Sequence, residues 1–365
     1  RQRMRQQVRA GDVVARLGGD EFAILQDSVP HQREGAVALA VRLLDVLGES
    51  YDLEGRQAVI GASIGIVVAP QGGSNVDLLL RNADLALYKV KGGGRNAYRV
   101  YDEGLDSEAH ERCRLEIELG EAIAAGTLDL YYQPIVTLAD GSVCGMEALV
   151  RWPHPVRGLM MPDRFIDLAE DSGLIVPLGE WAIERACRDA ARWPDHVKVA
   201  VNISPTHIKK KTLVDSIARV LAENRMTPER LEIEVTETVL LRHDEEILAE
   251  LQRLRGLGVS VVLDDFGIGY SSLSHLRMFA FDKVKIDRSF VGEITERPDC
   301  AAIVCAIAGL ARSLGMATTA EGVESDEQLR LLKAAGCTQA QGYLFGRPQP
   351  VAEVGFAAAP GSWVM

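Results

Sequence analysis

The sequence predicts an α/β protein, a TIM-like (β/α)8 barrel preceded by a smaller, truncated α/β module. Three observations predict it. The 365 residues exceed what one ordinary core takes, since single cores stop growing near ~250–300 residues. From residue 129 onward, eight short β-rich runs recur with helical stretches between most of them, the pattern of a mostly parallel sheet with covering helices. Before residue 104 the rhythm differs, opening on a hairpin pattern.

In that first block, VVARLGGDEFAIL (13–25) places two apolar strands around Gly18-Gly19, which supply the tight turn. A helix over 32–49 follows, then a strand pair within 51–69, the helical stretch VDLLLRNADLALYKVK and the loop GGGRN. Only a short basic stretch precedes the hairpin, and a lone antiparallel pair is a marginal sheet in water, so residues 1–104 are expected to form a partial domain. SEAHERCRLEIELGEAIAAG has apolar residues at helical spacing and ends near a glycine, which predicts a linker helix over 105–125. The barrel is expected over 115–358. Its eight strands are DLYYQPIV, CGMEALVRW, VKVAVNIS, LEIEVTE, VSVVLDD, DKVKID, MATTAEG and TQAQGYLF.

Composition narrows the function classes. With 47% hydrophobic and 25% charged residues and no apolar run near the ~20 residues of a membrane helix, the chain reads as soluble, without membrane contact. The opening RQRMRQQVRA lacks the apolar core of a secretory signal, so a cytoplasmic location is expected; a membrane anchor in upstream sequence stays open. Six scattered cysteines (Cys113, Cys144, Cys187, Cys300, Cys305, Cys337) form no CxxC pair, which argues against a zinc site or a disulfide framework. Residues 1–103 hold 13 basic and 13 acidic residues, so the net charge of −12 lies wholly in 104–365. A nucleic-acid polymer binder would carry the opposite sign.

Polar residues fall where barrel strands end, the place where a TIM barrel carries its chemistry. They are Glu147, Asn202, Glu234, Asp264, Asp265, Lys285, Glu321 and Gln341. Singly, each is as compatible with a solvated loop position. Together, four or more carboxylates at one mouth would repel one another and raise each other's pKa unless cations neutralise them. Oxygen donors without His or Cys favour Mg2+ or Mn2+, and the adjacent Asp264-Asp265 pair suits two ions, the device for in-line phosphodiester hydrolysis. Lys285 can orient or deprotonate the attacking water and meet charge on the phosphoryl oxygens; the bland alternative is a salt bridge to Asp287.

YYQPIV (131–136), EALVRW (147–152), VNIS (201–204), EVTE (234–237), DDFGIGYSSL (264–273), KIDRSFV (285–291), AEGVE (320–324) and QGYLFGRP (341–348) form an ordered set that resembles an EAL-domain cyclic di-GMP phosphodiesterase. The resemblance implies a barrel that cuts cyclic di-GMP to linear pGpG with two Mg2+ or Mn2+ ions. It implies Glu147, Asn202, Glu234 and Asp264 as ligands of the first ion, and Asp264 and Asp265 as ligands of the second. Glu321 would support the second ion through water and Lys285 would position the nucleophile. Gln133, Leu149, Arg151 and Gln341 would contact substrate or support the site. Glu237 would anchor the DDFG loop, which the family uses in homodimerisation. Ile268 and Phe279-Ala280-Phe281 depart from the family's usual residues in or just after that loop.

GGDEF at 18–22, with SIGI (63–66), ADLALYKVK (83–91) and GRN (94–96), resembles the C-terminal half of a GGDEF diguanylate cyclase domain. The resemblance assigns Gly18, Gly19, Asp20, Glu21, Lys91 and Arg95 to binding GTP and its metals, and Arg9 and Asp12 to the RxxD product-inhibition site. Earlier elements of that family supply another metal-binding Asp and the guanine contacts, so the block as written is expected to be regulatory and not cyclase-competent. GTP would be a partner of a complete domain. A rival reading is a cyclic di-GMP receptor or signalling scaffold without turnover; the receptor class would show substitutions among Glu147, Asp264, Asp265 or Lys285, and none is present.

Overall fold

The computed structural model describes residues 2–27, 31–53, 56–58, 60–92, 96–237, 244–267 and 279–356. The chain divides into two compact units, residues 1–115 and 116–365.

In the first unit, helix α1 (Gln2–Gln7) precedes the antiparallel hairpin β1 (Val13–Gly18) and β2 (Glu21–Leu25). Gly18 pairs with Glu21, so the turn is Gly19-Asp20 and not Gly18-Gly19 as the sequence suggested. Gly19 takes φ +48°, which costs glycine nothing because it has no Cβ. Helix α2 (Gln32–Gly48) buries Leu39, Leu43 and Leu47, an i, i+4, i+8 stripe, against Met4, Val8, Ile24 and Ile64. The strand pair expected within 51–69 is split. β3 (Tyr51–Leu53) pairs with β4 (Arg56–Ala58), whereas β5 (Ile64–Ile66) runs parallel to β6 (Tyr98–Val100), which lies beyond helix α3 (Val76–Gly92). Gly65 makes this packing feasible: a Cβ there would sit 2.1 Å from the Ala83 carbonyl oxygen of α3.

Helix α4 (Glu103–Ala125) leads into the second unit, whose first strands are β7 (Asp129–Thr137), β8 (Val143–His154) and β9 (Gly158–Met160). There follow helices α5 (Ile166–Ser172) and α6 (Ile175–Ala190), β10 (Lys198–Asn202), α7 (Pro205–Ile208), α8 (Leu213–Asn224), β11 (Leu231–Thr236) and α9 (Glu245–Gly256). The chain continues with β12 (Ser260–Phe266), β13 (Lys283–Ile286), α10 (Arg288–Gly292), α11 (Pro298–Ser313), β14 (Ala317–Ala320), α12 (Asp326–Ala335), β15 (Gln339–Gln341) and β16 (Gln349–Pro350). The eight β-rich runs become β7, β8 and β10 to β15, and these close into one barrel.

One strand departs from the plain (β/α)8 pattern. β7 is antiparallel to both neighbours, β8 and β15. Only residues 138–142 join β7 to β8, and a loop that short can make a hairpin but not a parallel crossover. The other barrel strands are mutually parallel, each packed outward on helices.

Strand alternation sorts the side chains. Outward residues such as Met146, Val199, Ile233, Val261, Val284 and Ile286 join the buried apolar cluster with Ile183, Ile217, Leu251 and Val304 of the helices. The residues between them, including Glu232, Glu234, Lys283 and Lys285, are buried and charged. A TIM barrel usually fills its interior with branched aliphatics; here the interior is polar.

Candidate active site

Every polar residue singled out at the strand ends reaches one place, and Lys285 is its centre. Its Nζ lies 2.7 Å from Glu321 Oε1, 2.8 Å from Glu234 Oε2, 3.1 Å from Asp264 Oδ1 and 3.6 Å from Glu147 Oε2. Its side chain is 1% exposed. Asp287 is not its partner: that carboxylate caps α10 by accepting the Ser289 N–H at 2.8 Å.

Two side-chain amides fix Glu147. Asn202 Nδ2 donates to Glu147 Oε1 at 2.8 Å, and Gln341 Nε2 donates to Glu147 Oε2 at 2.6 Å and to Gln133 Oε1 at 3.0 Å. Gln133 in turn donates to the Gly346 carbonyl. The reversed strand β7 brings Gln133 here, since Gln133 stands opposite Glu147 in the β7–β8 register. Leu149 and Arg151 follow Glu147 at i+2 and i+4 on the same face of β8. Arg151 is buried, donates to the Val150 carbonyl and lies over the Tyr131 ring, so burial lowers its pKa.

Asp264, Asp265 and Glu321 place carboxylate oxygens within 4.8 Å of one another. Asp265 holds φ +54°, a left-handed conformation rare for a residue with a Cβ, and donates its N–H to Asp264 Oδ1 at 2.9 Å. The strained turn faces two successive carboxylates toward one point. Glu237 is buried, accepts the Gly267 N–H on Oε2 at 3.3 Å and leaves Oε1 without a partner. Ile268 lies outside the described residues. Phe279 and Phe281 are buried and stack edge to face at 4.7 Å.

One ammonium among four carboxylates leaves a surplus of negative charge. Burial, reinforced by Asp264 and Glu147, pushes the Glu321 carboxyl up to about 8, and burial with Glu147 and Asp264 pushes Glu234 well above the usual range. For Glu147 burial is outweighed by Lys285 and the Gln341 and Asn202 hydrogen bonds, and its pKa falls. Lys285 moves the other way: burial opposes its charge, yet the carboxylates hold its pKa well above the ordinary lysine value. In the metal-free chain it is therefore a charged hydrogen-bond donor to these carboxylates. The Gln341 Oε1 atom is buried without a partner. An all-oxygen donor set with excess negative charge fits a hard divalent cation, and Glu147, Asn202, Glu234, Asp264, Asp265 and Glu321 are the residues that would hold one.

The EAL-domain family model matches residues 117–348. The chain belongs to the EAL-domain family. The diguanylate cyclase GGDEF-domain model matches residues 1–97, ahead of the EAL region. MucR of Pseudomonas aeruginosa, described as a bifunctional diguanylate cyclase/cyclic di-GMP phosphodiesterase, is 40% identical, covering 97% of this chain and 52% of its own. PdeR of Escherichia coli, described as a cyclic di-GMP phosphodiesterase, is 38% identical over 93% of this chain and 51% of its own. The chain thus spans about half the length of the curated relatives it matches. A solved structure, the PaMucR phosphodiesterase in complex with c-di-GMP, aligns with a TM-score of 0.63 at 41% identity, covering 66% of this chain and 99% of that one.

Among the described residues, those of the GGDEF motif make no comparable cluster. Gly18, Gly19, Asp20 and Glu21 are exposed on the β1–β2 hairpin, where the Arg16 guanidinium donates to the Gly19 carbonyl. Lys91 is exposed in the last turn of α3, and Arg95 lies outside the described residues. Arg9 and Asp12 are joined: the Arg9 N–H donates to Asp12 Oδ2 at 2.9 Å, and both line a concavity of about 380 Å³ with Arg5. Among the described residues no helix is long and apolar enough to cross a membrane.

What sequence reasoning missed lies deeper in the barrel. Glu232 and Lys283 form a second buried charge pair below Glu234 and Lys285, which the half-exposed Lys198 joins at its edge. The signal was present, since Glu232 and Lys283 each stand two residues before a site residue on the same strand.

Proposed function

We propose that the EAL barrel hydrolyses cyclic di-GMP to linear pGpG, adding water across one phosphodiester bond of the ring. The observation that carries this reading is the buried convergence of Glu147, Glu234, Asp264 and Glu321 on Lys285, with Asp265 beside them. The similarity to phosphodiesterase relatives and to a c-di-GMP complex supports the substrate.

Two Mg2+ or Mn2+ ions, one held by Glu147, Asn202, Glu234 and Asp264 and the other by Asp264, Asp265 and, through water, Glu321, would supply Lewis acidity toward the phosphoryl oxygens. Lys285, kept protonated by its carboxylates, orients the attacking water through its N–H groups and meets charge growing on the phosphoryl group. Glu321, whose Oε1 lies 2.7 Å from the Lys285 Nζ, stands beside the water that Lys285 orients and is the carboxylate placed to accept its proton. Asn202 and Gln341 keep Glu147 aimed at the centre, and Gln133, Leu149 and Arg151 line the approach of the nucleotide. The buried Glu237 side chain anchors the start of the DDFG loop at Gly267, the loop through which a homodimer would form.

Residues 1–104 are assigned as a GGDEF region with a regulatory role, 105–125 as the linker helix and 115–358 as the barrel. GTP would bind a complete GGDEF domain, and the chain acts in the cytoplasm. The test is incubation with cyclic di-GMP and Mg2+ or Mn2+, with and without chelator, reading pGpG by chromatography. Metal-dependent pGpG is the expected result, whereas tight cyclic di-GMP binding without product would replace this reading with that of a receptor.

A further inference from the structure

Below the site, the barrel interior holds a second layer of charge. Lys283 Nζ lies 2.5 Å from Glu232 Oε2, and Lys198 Nζ lies 3.0 Å from Glu232 Oε1 and 3.3 Å from Ser260 Oγ. Glu232 and Lys283 side chains are 3% and 8% exposed, whereas Lys198 opens to solvent at the start of β10. The Lys283–Glu232 pair spans from β13 to β11 across the intervening β12. Two residues further along the same strands, Lys285–Glu234 repeats the span at 2.8 Å. The barrel therefore carries two parallel rungs, one in the site and one beneath it.

Stability does not account for the lower rung. Desolvating two charges offsets much of their attraction, and replacing a buried pair by apolar residues of similar volume is often neutral or stabilising. Branched aliphatics are the usual filling at this depth of a barrel. An ion pair supplies what they do not, a directional link of fixed length between two chosen strands. Those strands are the ones that carry Lys285 and Glu234.

We propose that Lys283 and Glu232 are positioning residues that set the reach of β13 toward β11, so that Lys285 meets its four carboxylates. The proposal rests on the phosphodiesterase reading for its kinetic readout but not for its metal-binding one. A misplacement of about 1 Å at a reacting group costs up to ~10²-fold, so partial slackening of the rung is expected to cost about tenfold.

The experiment compares Lys283→Met, Glu232→Gln, Lys283→Arg and the double variant Glu232→Leu/Lys283→Met, measuring kcat, KM, melting temperature and Mn2+ affinity by calorimetry. The two single apolar or neutral variants are expected to lose about tenfold in kcat at unchanged KM, while Lys283→Arg keeps the pair and most of the turnover. The double variant leaves no lone charge in the pair, so its melting temperature returns to that of the wild type or above while kcat stays reduced. Recovery of kcat together with melting temperature in the double variant overturns the proposal, because the rung would then be structural only. If the wild-type chain makes no pGpG, the phosphodiesterase reading fails on its own, and the rung is judged by Mn2+ affinity. A several-fold weakening in Lys283→Met then supports it, and an unchanged affinity overturns it.

Discussion

The two units hold their sequence motifs in opposite ways. In the barrel, residues from seven strands and the loop after β14 come within hydrogen-bonding reach of Lys285 or of one another, and most are buried. In the first unit, Gly18, Gly19, Asp20 and Glu21 stand exposed on a two-stranded hairpin, with Arg16 bonded to the turn carbonyl and lying over the Phe22 ring. Closure of the barrel accounts for the difference. Parallel strands aim their C-terminal ends at one mouth, so residues far apart in sequence meet without needing loops to carry them. A hairpin by itself presents its turn to water. A motif is therefore evidence of chemistry only where the fold gathers it.

The largest effect that would break this contrast is in the mouth itself. Glu147→Ala removes a carboxylate fixed by two amides, and Lys285→Met removes the central cation and leaves buried carboxylates unpaired. Each is expected to lower kcat by at least about 10³-fold, the size of losing a preorganised electrostatic group in a water-excluded site. Circular dichroism should report a folded Glu147→Ala chain. Turnover like that of the wild type in that variant would show that convergence at the mouth is packing alone. Gln341→Ala is the milder version. It leaves the charges in place and removes one donor to Glu147, so about 10-fold to 100-fold in kcat is expected, the range seen when a residue that orients a ligand is lost. An effect confined to KM would instead place Gln341 on the nucleotide.

The fold was largely legible because outward strand residues are apolar and the eight runs recur with helices between them. Glu147, Asn202, Glu234, Asp264, Lys285, Glu321 and Gln341 could be read as one group because each interrupts or closes such a run. What stayed hidden needed three dimensions. The reversal of β7, which puts Gln133 opposite Glu147, depends on closure against β15 as well as on the short loop. The β5–β6 pairing joins residues separated by a whole helix, and YRV at 98–100 is too short to announce a strand. The protonated state of Lys285 follows from four distances that no spacing encodes, which is why sequence alone left both orienting and deprotonating roles open.

Charge surplus at the mouth also predicts a pH signature smaller than the loss of turnover. Glu321 is raised to about 8 in the folded, metal-free chain against an ordinary value of 4.5, so between those values the folded state holds a proton that the unfolded state has released. Stability should therefore rise as pH falls from 8. Glu234, raised in the same direction, adds to the trend. His207 opposes it at lower pH: it is buried with both ring nitrogens unpartnered, and burial pulls it down to about 4, so stability is lost as pH falls from 6.5 toward 4. The clean window is pH 8 to 6.5. The unfolding free energy in EDTA, read from melting, should climb across it by an amount on the order of 1–2 kcal/mol, and saturating Mn2+ should flatten the dependence by replacing the proton. A flat profile in EDTA would mean that the mouth is hydrated enough to carry its charge.

The smallest expected effect tests the first unit. Glu21 is exposed at the first position after the Gly19-Asp20 turn. If the hairpin serves regulation rather than turnover, Glu21→Ala should leave basal cyclic di-GMP hydrolysis within about twofold, as exposed substitutions away from caps, cores and ion pairs generally do. The same variant should alter any response of the barrel to added GTP, measured as the change in kcat or KM on titrating the nucleotide. A basal loss near that of Glu147→Ala would erase the contrast between the two units, because an exposed hairpin residue would then weigh on turnover as heavily as a carboxylate buried at the mouth.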